Sequence, residues 1–413
     1  MAKDEVTAVL GGWEGYTLGT VGRFEAGEGG RKRPEVHLEL HPVRDHPRVC
    51  SGCGEPCRSI HDTTERWVDD LPILGADTRL LVHRVRVACP DCGGPKLERL
   101  GWLEPYARVT TRLAESVARL CRVLPVKHVA DYFDLDWKTV KRIDKAYLGR
   151  TLGPVDLGVV TKLAMDEFAI QKGHRYATVV IDPTCKRVLW VGRGRSRDDV
   201  RPFFELLGPE GCRRIEAVAM DMNAAYDLEV RQHCPNAEVV YDLFHVVAKY
   251  GREVVDRVRV DEANAVRHDK PARKVIKGSR WLLLKNADNI TKETDRVRLA
   301  ELLKANRKLA AVYLLKDDLK ELWAYRHTGY AQRFWEQWYA RAIRSRIEPL
   351  KAFARKLKAY LPGILSHCRF PLHTSVLEGI NNKIKVIKRM AYGFRDNAYF
   401  FLKIRQAFPG VGR

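Results

Sequence analysis

The order of hydrophobic stretches between residues 159 and 241 predicts an α/β domain. Five short stretches are rich in β-branched and apolar residues, as strands are; they cover residues 159–166, 175–181, 187–191, 215–220 and 238–241. Helical patterns occupy residues 198–207 and 224–230 between the later strands. The domain therefore begins with three strands in succession and continues as helix, strand, helix, strand.

This element order is that of a ribonuclease-H-like core. In such a core the first and fourth strands lie side by side, so carboxylates at their ends come together. Asp166 ends the first predicted strand and Asp221 follows the fourth. Because the chemistry of open α/β sheets lies at strand ends, both are candidate catalytic residues. For either one alone, an Asp that caps the next turn is the alternative.

Residues 246–372 have an almost entirely helical pattern and are rich in charged residues. We interpret them as an all-α insertion, after which the α/β domain resumes at residue 373. The block contains Trp281, Trp323, Trp335 and Trp338. Most of these tryptophans are expected in a helical core, and stacking of one on an unpaired base is the alternative.

One face of the last long predicted helix, residues 375–390, is polar. At helical spacing this face carries Glu378, Asn382, Lys385 and Arg389. Ile380, Ile384 and Ile387 fall on another face and are expected to pack on the sheet. A carboxylate followed by an amide and two cations fits a metal ligand beside phosphate contacts. Arg395, in the next segment, is a further candidate for such a contact.

Two Cys-x-x-Cys pairs flank a strand-like stretch over residues 80–87. The pairs are Cys50 with Cys53, and Cys89 with Cys92. Two such turns joined by strands can close a tetrahedral thiolate site, which predicts a zinc ribbon. Cys57 and His61 lie near the first pair and are able to replace one of its ligands, so the ligand set stays open at this point.

Apolar residues at helical spacing predict three helices between residues 110 and 148. A tight turn over residues 134–136 separates the last two, and Asp136 is the predicted N-cap of the third. Outside its apolar face the third helix carries Lys138, Thr139, Lys141, Arg142 and Lys145. This arrangement predicts a helix-turn-helix whose last helix enters a DNA major groove. A small helical bundle with a solvated basic face is the alternative.

The overall charge strengthens the nucleic-acid interpretation. The 413 residues carry a formal net charge of +21 with a pI near 9.6, and such an excess of Lys and Arg attracts polyanions. The ten Cys do not indicate disulfides, because four form the two pairs and most others stand singly in apolar stretches. Without a membrane-spanning stretch or a signal-peptide core, we expect a cytoplasmic bacterial protein that is associated with the nucleoid when bound to DNA.

Three carboxylates from distant parts of the chain predict a metal site for phosphodiester chemistry. Two divalent ions can activate the nucleophile, relieve charge on the phosphate and stabilise the leaving oxygen, and Mg²⁺ or Mn²⁺ prefers oxygen ligands. We expect Asp166 to bind both ions, Asp221 one and Glu378 the other. Asp242 and His245, after the fifth strand, are accessory candidates, with an N-cap and a buried His as the alternative. Asp242 also competes with Asp221 as second ligand.

Further motifs follow the Cys pairs and the helix-turn-helix in order along the chain. They are MDEF, AMDMNAAY, YDLFH and LEGINNKIKVIKRMAYGFRD. Together these features resemble the insertion-sequence L-three family of DDE transposases. The resemblance implies Mg²⁺-dependent cutting and joining of transposon ends, at least a dimer on paired terminal inverted repeats, and Asp166, Asp221 and Glu378 as catalytic acids. The Asp242/His245 pair matches a motif of related transposases, whereas the extra thiol of Cys57 departs from the pattern.

The predicted fold class is multidomain α/β. A β-rich segment with the zinc ribbon is expected over residues 1–100, the helix-turn-helix over 101–150, the catalytic domain over 159–245 and 373–413, and the insertion over 246–372. The expected function is that of a bacterial DNA transposase which acts on double-stranded DNA as a homodimer or larger assembly. The alternatives are a DNA-binding regulator with a degenerate core, against which the three carboxylates argue, and a junction or RNA nuclease, which has little use for a sequence-reading domain.

Overall fold

The structure is a computed structural model that describes residues 10–28, 33–171, 173–372 and 375–410. The chain divides into two compact units, the first from Met1–Gly153 and Lys388–Ala407 and the second from Pro154–Ile387 and Phe408–Arg413. Both units contain helices and strands, so the mixed α/β class is observed. The four predicted domain limits stay predictions, and the outer ends of the first and last domains lie outside the described residues.

The first unit contains a five-stranded sheet and a two-stranded one. Its strands are β1 (Tyr16–Phe24), β2 (Glu35–Pro42), β3 (Arg48–Val49), β4 (Pro56–Cys57), β5 (Ile60–Ile73), β6 (Ala76–Cys89) and β7 (Gly94–Leu97). The larger sheet has the order β1-β2-β6-β5, with β7 on β6; β2 and β6 are parallel and the other pairs antiparallel. Alternate residues of β2 and β6, among them Leu38, Leu40, Leu80 and Val82, face a buried core.

Three helices follow in the same unit, α1 (Thr111–Leu120), α2 (Val126–Tyr132) and α3 (Trp137–Thr151). Thr110 caps α1 by accepting from the Leu113 N–H, and Asp136 caps α3 by accepting from the Lys138 N–H. Asp134 turns the chain between α2 and α3 with a φ of 48°. The apolar faces of the helices meet in one core, so the three predicted helices are confirmed.

The second unit contains a five-stranded mixed sheet. Its strands are β8 (Lys162–Gln171), β9 (Arg175–Asp182), β10 (Arg187–Arg193), β11 (Ala217–Met220) and β12 (Glu238–Tyr241), in the order β10-β9-β8-β11-β12. The pairs β10/β9 and β9/β8 are antiparallel, whereas β8/β11 and β11/β12 are parallel. Helix α4 (Arg197–Arg214), interrupted at Gly208, precedes β11, and α5 (Ala224–His233) precedes β12. All five predicted strands are confirmed.

From β12 to residue 372 the described regular elements are all helical. They are α6 (Leu243–Tyr250), a π-helix (Gly251–Asp256), α7 (Arg257–Ala265), α8 (Lys270–Gly278), α9 (Arg280–Leu284), α10 (Glu293–Ala305), α11 (Arg307–Glu321), α12 (Thr328–Arg344), α13 (Glu348–Lys358) and α14 (Leu361–Leu365), with short 3₁₀ turns. Their apolar faces continue the core of the sheet. Trp335 and Trp338 are buried in this core and the partly buried Trp323 packs against it, whereas Trp281 is 68% exposed.

The last two helices are α15 (Ser375–Met390) and α16 (Asn397–Ala407). In α15 the buried stripe consists of Leu377, Ile380, Asn381 and Ile384. The predicted polar face, Glu378, Asn382, Lys385 and Arg389, is exposed. The two-faced pattern is therefore confirmed, with one amide inside the apolar stripe. Among the residues that the structure describes, no helix has the length and apolarity to cross a bilayer.

Candidate active site

Asp166 and Asp221 lie at the same level of the sheet in the second unit. Strands β8 and β11 pair in parallel up to Ala164 opposite Ala219, and each aspartate stands two residues beyond that pair. The predicted adjacency of the first and fourth strands is thus confirmed. The prediction that the first strand ends at Asp166 is wrong, because the antiparallel ladder with β9 carries β8 on to Gln171.

The two aspartates are half-buried and lie near a further carboxylate, that of Glu167. The pKa of Asp166 is raised to about 6, mainly by burial; the carboxylates of Asp221 and Glu167 contribute to the rise, and the Glu167 backbone N–H and His245 oppose it. Burial also raises the pKa of Asp221, where Glu167 again adds and His245 again opposes. Asp221 Oδ1 is buried and has no hydrogen-bond partner within the described part of the chain. Adjacent carboxylates that are withdrawn from water need positive charge, so this donor set fits divalent cations, which prefer oxygen ligands.

A cavity of about 870 Å³ opens beside Asp166. One part of its wall consists of Asp166, Asp242, His245, Glu378, Asn381, Asn382 and Lys385, and another of Arg280, Trp281, Asn286, Lys316 and Lys320. Glu378 therefore shares a cavity with Asp166. In the described residues, however, the three predicted metal-binding carboxylates do not form a group whose ligand oxygens all lie within 4.8 Å of one another. The role assigned to Glu378 stays a prediction.

The side chain of α15 that reaches Asp166 is Asn381. Its Nδ2 donates to Asp166 Oδ2 at 2.6 Å, while the Glu167 backbone N–H donates to Asp166 Oδ1 at 2.8 Å. Asn381 is 8% exposed, whereas Asn382, predicted to contact DNA, lies on the exposed face. Sequence reasoning missed Asn381. The sequence did contain a sign of it: Asn381 is an amide at a position that falls on the apolar face of the predicted helix.

Glu167, an acidic residue, is the second site residue that the sequence patterns did not single out. Arg195 Nη1 donates to its Oε1 at 2.6 Å, and Asn223 Nδ2 donates to its Oε2 at 3.4 Å. The Arg195 guanidinium also stacks over the Tyr176 ring, 4.1 Å from its centroid. Glu167 is thus held by a cation and an amide next to Asp166, and its charge raises the pKa of both aspartates.

The accessory pair is located at the beginning of α6. Asp242 occupies the N-cap position but makes no side-chain capping hydrogen bond, so the capping alternative is not observed. His245 is partly exposed and lines the cavity with Asp242. Neither residue therefore has the purely structural environment of a capped turn with a buried His.

The predicted DNA-contacting side chains of α3 fall into two groups, one without an ion-pair partner on Asp396 and one paired with it. Lys138 and Arg142 are exposed, and Thr139 is half-buried. Lys141 and Lys145 instead form ion pairs with Asp396, at 3.0 and 2.9 Å. A DNA-contacting role for these two lysines therefore competes with an internal partner. Arg389 and Arg395, also predicted to contact DNA, are exposed.

Helix α16 packs on the third helix through buried polar groups. Lys403 Nζ donates to Asp144 Oδ2 at 3.0 Å and to the Cys121 carbonyl at 2.7 Å. The Tyr399 hydroxyl donates to the same Asp144 oxygen at 2.5 Å. Because a buried charge is costly unless it is paired, these bonds fix the register between α16 and the helix-turn-helix.

The two Cys-x-x-Cys turns come together in the first unit. The Sγ atoms of Cys50, Cys53, Cys89 and Cys92 all lie within 4.8 Å of one another. Cys57 is outside this group, and its thiol donates to the Glu55 carbonyl at 3.7 Å. His61 is exposed and its Nδ1 lies 3.2 Å from Asp62 Oδ2. The geometry favours the four Cys as the ligand set over either substitute, and four thiolates fit zinc.

The chain is similar to known transposases over nearly its whole length. Residues 163–404 match the sequence model of the ISL3 family of DDE transposases, and residues 98–148 match the helix-turn-helix domain of transposase family ISL3. The transposase for insertion sequence element IS1001 of Bordetella parapertussis is 54% identical over 404 residues, 98% of each chain. The transposase for insertion sequence element IS1557 of Mycobacterium tuberculosis is 28% identical over 398 residues, 90% of this chain and 87% of the relative. In agreement with its motifs, the chain belongs to the ISL3 family of transposases.

Proposed function

We propose that this chain binds the terminal inverted repeats of an insertion sequence and cuts and joins DNA there by a two-metal DDE mechanism. The observation that carries the proposal is the register that sets Asp166 level with Asp221 at the sheet, beside a cavity that Glu378 also lines. Asp166 would hold both ions, Asp221 one and Glu378 the other. To complete this set, Glu378 would have to lie closer to the aspartates than it does here.

The proposed framework is a ribonuclease-H-like core interrupted by an all-α insertion. The strand order β10-β9-β8-β11-β12, antiparallel on one side of β8 and parallel on the other, supports this assignment. The uninterrupted succession of helices between β12 and α15 supports the insertion. In this framework the insertion supplies one cavity wall, which bears Arg280, Lys320 and the exposed Trp281.

We assign a different role in the reaction to each group of residues around the cavity. When bound, a pair of divalent ions neutralises the scissile phosphate and activates the attacking hydroxyl, first of water and then of a DNA 3′ end. Asn381 and the Glu167 backbone N–H orient the two oxygens of Asp166. His245 is suitably placed to move a proton at the cavity wall, and Lys385 to contact phosphate. Because two transposon ends must be paired, we expect the chain to act as a homodimer or larger assembly.

The test is cleavage and joining of a labelled duplex that carries the element's terminal repeat. Full-length protein with Mg²⁺ or Mn²⁺ is expected to nick at the repeat end and to transfer that 3′ end to a second DNA. A duplex of equal length with a shuffled repeat is the control. Specific binding without any cleavage would overturn the enzymatic proposal and favour a DNA-binding regulator. Preference for a branched junction over the repeat would favour a structure-specific nuclease.

We expect the double replacement of Lys138 and Arg142 by Ala to lower the affinity for DNA. The affinity should also change less with salt concentration. Removing one phosphate-binding side chain lowers the slope of log K against log salt concentration by about 1. Lys141→Ala is the matched control and is expected to change the slope less, because Lys141 pairs with Asp396. Fluorescence anisotropy over a range of salt concentrations measures both. An equal or larger effect of Lys141→Ala would contradict this assignment of the basic face.

Asn381→Ala is expected to lower the cleavage rate by about 10- to 100-fold, the usual cost of losing a side chain that orients a metal ligand. DNA affinity should be unchanged, because Asn381 is buried beside Asp166. Asn382→Ala, one position away on the exposed face, is the comparison; at saturating DNA it should lose less of the cleavage rate than Asn381→Ala, because Asn382 does not contact Asp166. Single-turnover cleavage and thermal melting distinguish a positioning defect from a folding defect. A larger defect in Asn382→Ala would show that the amide that matters is the exposed one.

A further inference from the structure

Two histidines and a glutamate form a compact group on the partly exposed face of the first unit's larger sheet. Glu39 and His41 belong to β2, and His83 belongs to β6. One ligand atom from each of the three lies within 4.8 Å of the other two. None of the three belongs to the four-Cys group or to the residues of the proposed active site.

The backbone brings these side chains together. Strands β2 and β6 pair in parallel with Leu40 opposite Val82, so His41 and His83 are the next neighbours across the ladder. Side chains alternate between the two faces of a strand, and Leu40 and Val82 face the buried core. Glu39, His41 and His83 therefore share the opposite, solvent-accessible face.

The distances from the Glu39 carboxylate to the two imidazoles are close to those between ligands of one ion, and the two rings stack with their centroids 4.4 Å apart. Glu39 Oε1 lies 2.9 Å from His83 Nε2 and 3.3 Å from His41 Nε2. Ligands bound to a tetrahedral zinc ion at usual bond lengths stand about 3.3 Å from each other. The side chains of His41, Glu39 and His83 are 46%, 23% and 17% exposed, so an ion has access to them from solvent.

A hydrogen bond holds the carboxylate of this group, and one of its histidines has a further carboxylate nearby. Thr20 Oγ1 donates to Glu39 Oε2 at 2.6 Å, which leaves Oε1 facing the histidines. Glu65 Oε1 lies 3.8 Å from His83 Nδ1, the ring nitrogen directed away from Glu39. A carboxylate beside the second nitrogen of a ligating His, and a hydrogen bond to a ligating carboxylate, are characteristic of metal sites.

A β-bulge in β1 forms the remaining wall. Leu18 pairs with Leu40 and Val21 pairs with Leu38, so both Gly19 and Thr20 stand opposite Glu39. Bulges redirect side chains locally, and this one directs Thr20 to Glu39. A Cβ at Gly19 would lie 2.6 Å from Cδ2 of His41, so the absence of a side chain there makes room for the imidazole.

We propose that Glu39, His41 and His83 bind one divalent first-row transition ion such as Zn²⁺. Two imidazoles and one carboxylate are ligands for Zn²⁺, Co²⁺, Ni²⁺ or Cu²⁺ rather than for Mg²⁺, which requires mainly oxygen. Three protein ligands leave a further position for solvent. The ion would connect β2 to β6 and is independent of the ions proposed for catalysis.

The test uses full-length protein that has been loaded with zinc and then dialysed against a chelator, so that only the four-Cys group keeps its zinc. This protein is titrated with Co²⁺ in excess Mg²⁺, which occupies oxygen-ligand sites. We expect one further equivalent of Co²⁺ to bind, with d–d absorption but no thiolate charge-transfer band, and to raise the melting temperature. Replacing His41 or His83 by Ala should weaken binding more than 10-fold, and Thr20→Val by about 10-fold. A thiolate charge-transfer band would instead show that Co²⁺ has replaced zinc at the Cys group. If Co²⁺ binds only by that replacement, the proposal is overturned.

His37→Ala is the matched control, because His37 lies on the same face of β2 but pairs with Glu35 instead. It should retain the Co²⁺ equivalent and the rise in melting temperature. Circular dichroism of every variant before titration establishes that the sheet is intact, and His83→Asn provides a second variant if His83→Ala is poorly folded. Unchanged Co²⁺ affinity in folded variants at positions 41 and 83 would show that the group is only an ion-paired cluster.

Discussion

Asp166→Asn is expected to abolish DNA cleavage and joining while leaving binding of the terminal repeat intact. The substitution keeps the volume of the side chain and an oxygen that can accept from Asn381 or from the Glu167 N–H. It removes the charge that the proposed mechanism uses to hold both ions. Losing one preorganised charge-stabilising group costs about 10²–10³ in rate, and we expect at least that loss here. Gel assays of cleavage and mobility shift measure the two activities.

The stability of this variant is a second readout of the same site. Burial raises the pKa of Asp166, which means that the folded protein holds this charge at a cost. A neutral isostere is therefore expected to leave the melting temperature unchanged or higher. Loss of cleavage with unchanged or improved stability separates a catalytic role from a structural one. Cleavage that persists in Asp166→Asn would refute the proposed chemistry.

Asp221→Asn and Asp242→Asn provide a matched comparison for the second metal ligand. Asp221 is level with Asp166 across the parallel pair β8/β11. Asp242 follows β12, which is separated from β8 by β11. We therefore expect a severe cleavage defect for Asp221→Asn and a milder one for Asp242→Asn. The reverse ranking would transfer the second ligand to Asp242.

The sheet of the second unit was predictable because its strands are continuous apolar runs with few competing interpretations. Three strands followed by two helix–strand repeats limit the possible topologies, and adjacency of β8 and β11 followed from that order. The end of β8 was not predictable in the same way. The polar residues after Asp166 weaken the apolar pattern, yet the antiparallel partner β9 still supplies hydrogen bonds as far as Gln171.

The contacts of individual helical side chains were harder to predict, because they depend on how each helix is rotated about its axis, which residue spacing does not define. The polar and apolar faces of α15 were predictable, and the sequence pattern singled out Asn382 as a DNA contact. That the neighbouring amide of Asn381 reaches Asp166 depends on a rotation of about one residue, which spacing does not define. Likewise, Lys141 and Lys145 have the spacing of DNA-contacting side chains. Their partner Asp396 lies more than 200 positions away along the chain, so no local pattern reveals the pairing.

Cys89→Ser is expected to remove one tightly held zinc ion and to unfold the turns that carry the two Cys pairs. Four thiolates bind structural zinc with apparent free energies of about 10–16 kcal/mol in small zinc domains. The local sheets here are short: β3 and β4 have two residues each, which is too little pairing to fold independently. The larger sheet has its own apolar core and should persist. Zinc content after dialysis against a chelator, and hydrogen exchange over residues 48–57 and 89–93, measure these effects.

Cys57→Ser is the control that decides the ligand set, because Cys57 lies beside the four thiols but donates to the Glu55 carbonyl instead. It should keep the chelator-resistant zinc and normal exchange protection, while Cys50→Ser and Cys92→Ser behave like Cys89→Ser. Since β3 and β4 lie before the helix-turn-helix in the same unit, repeat binding measured on the zinc-free variants reports whether the ribbon contributes to DNA recognition. If Cys57→Ser loses as much zinc as Cys89→Ser, then Cys57 is a ligand. The ligand set would then be one in which Cys57 replaces one of the four Cys.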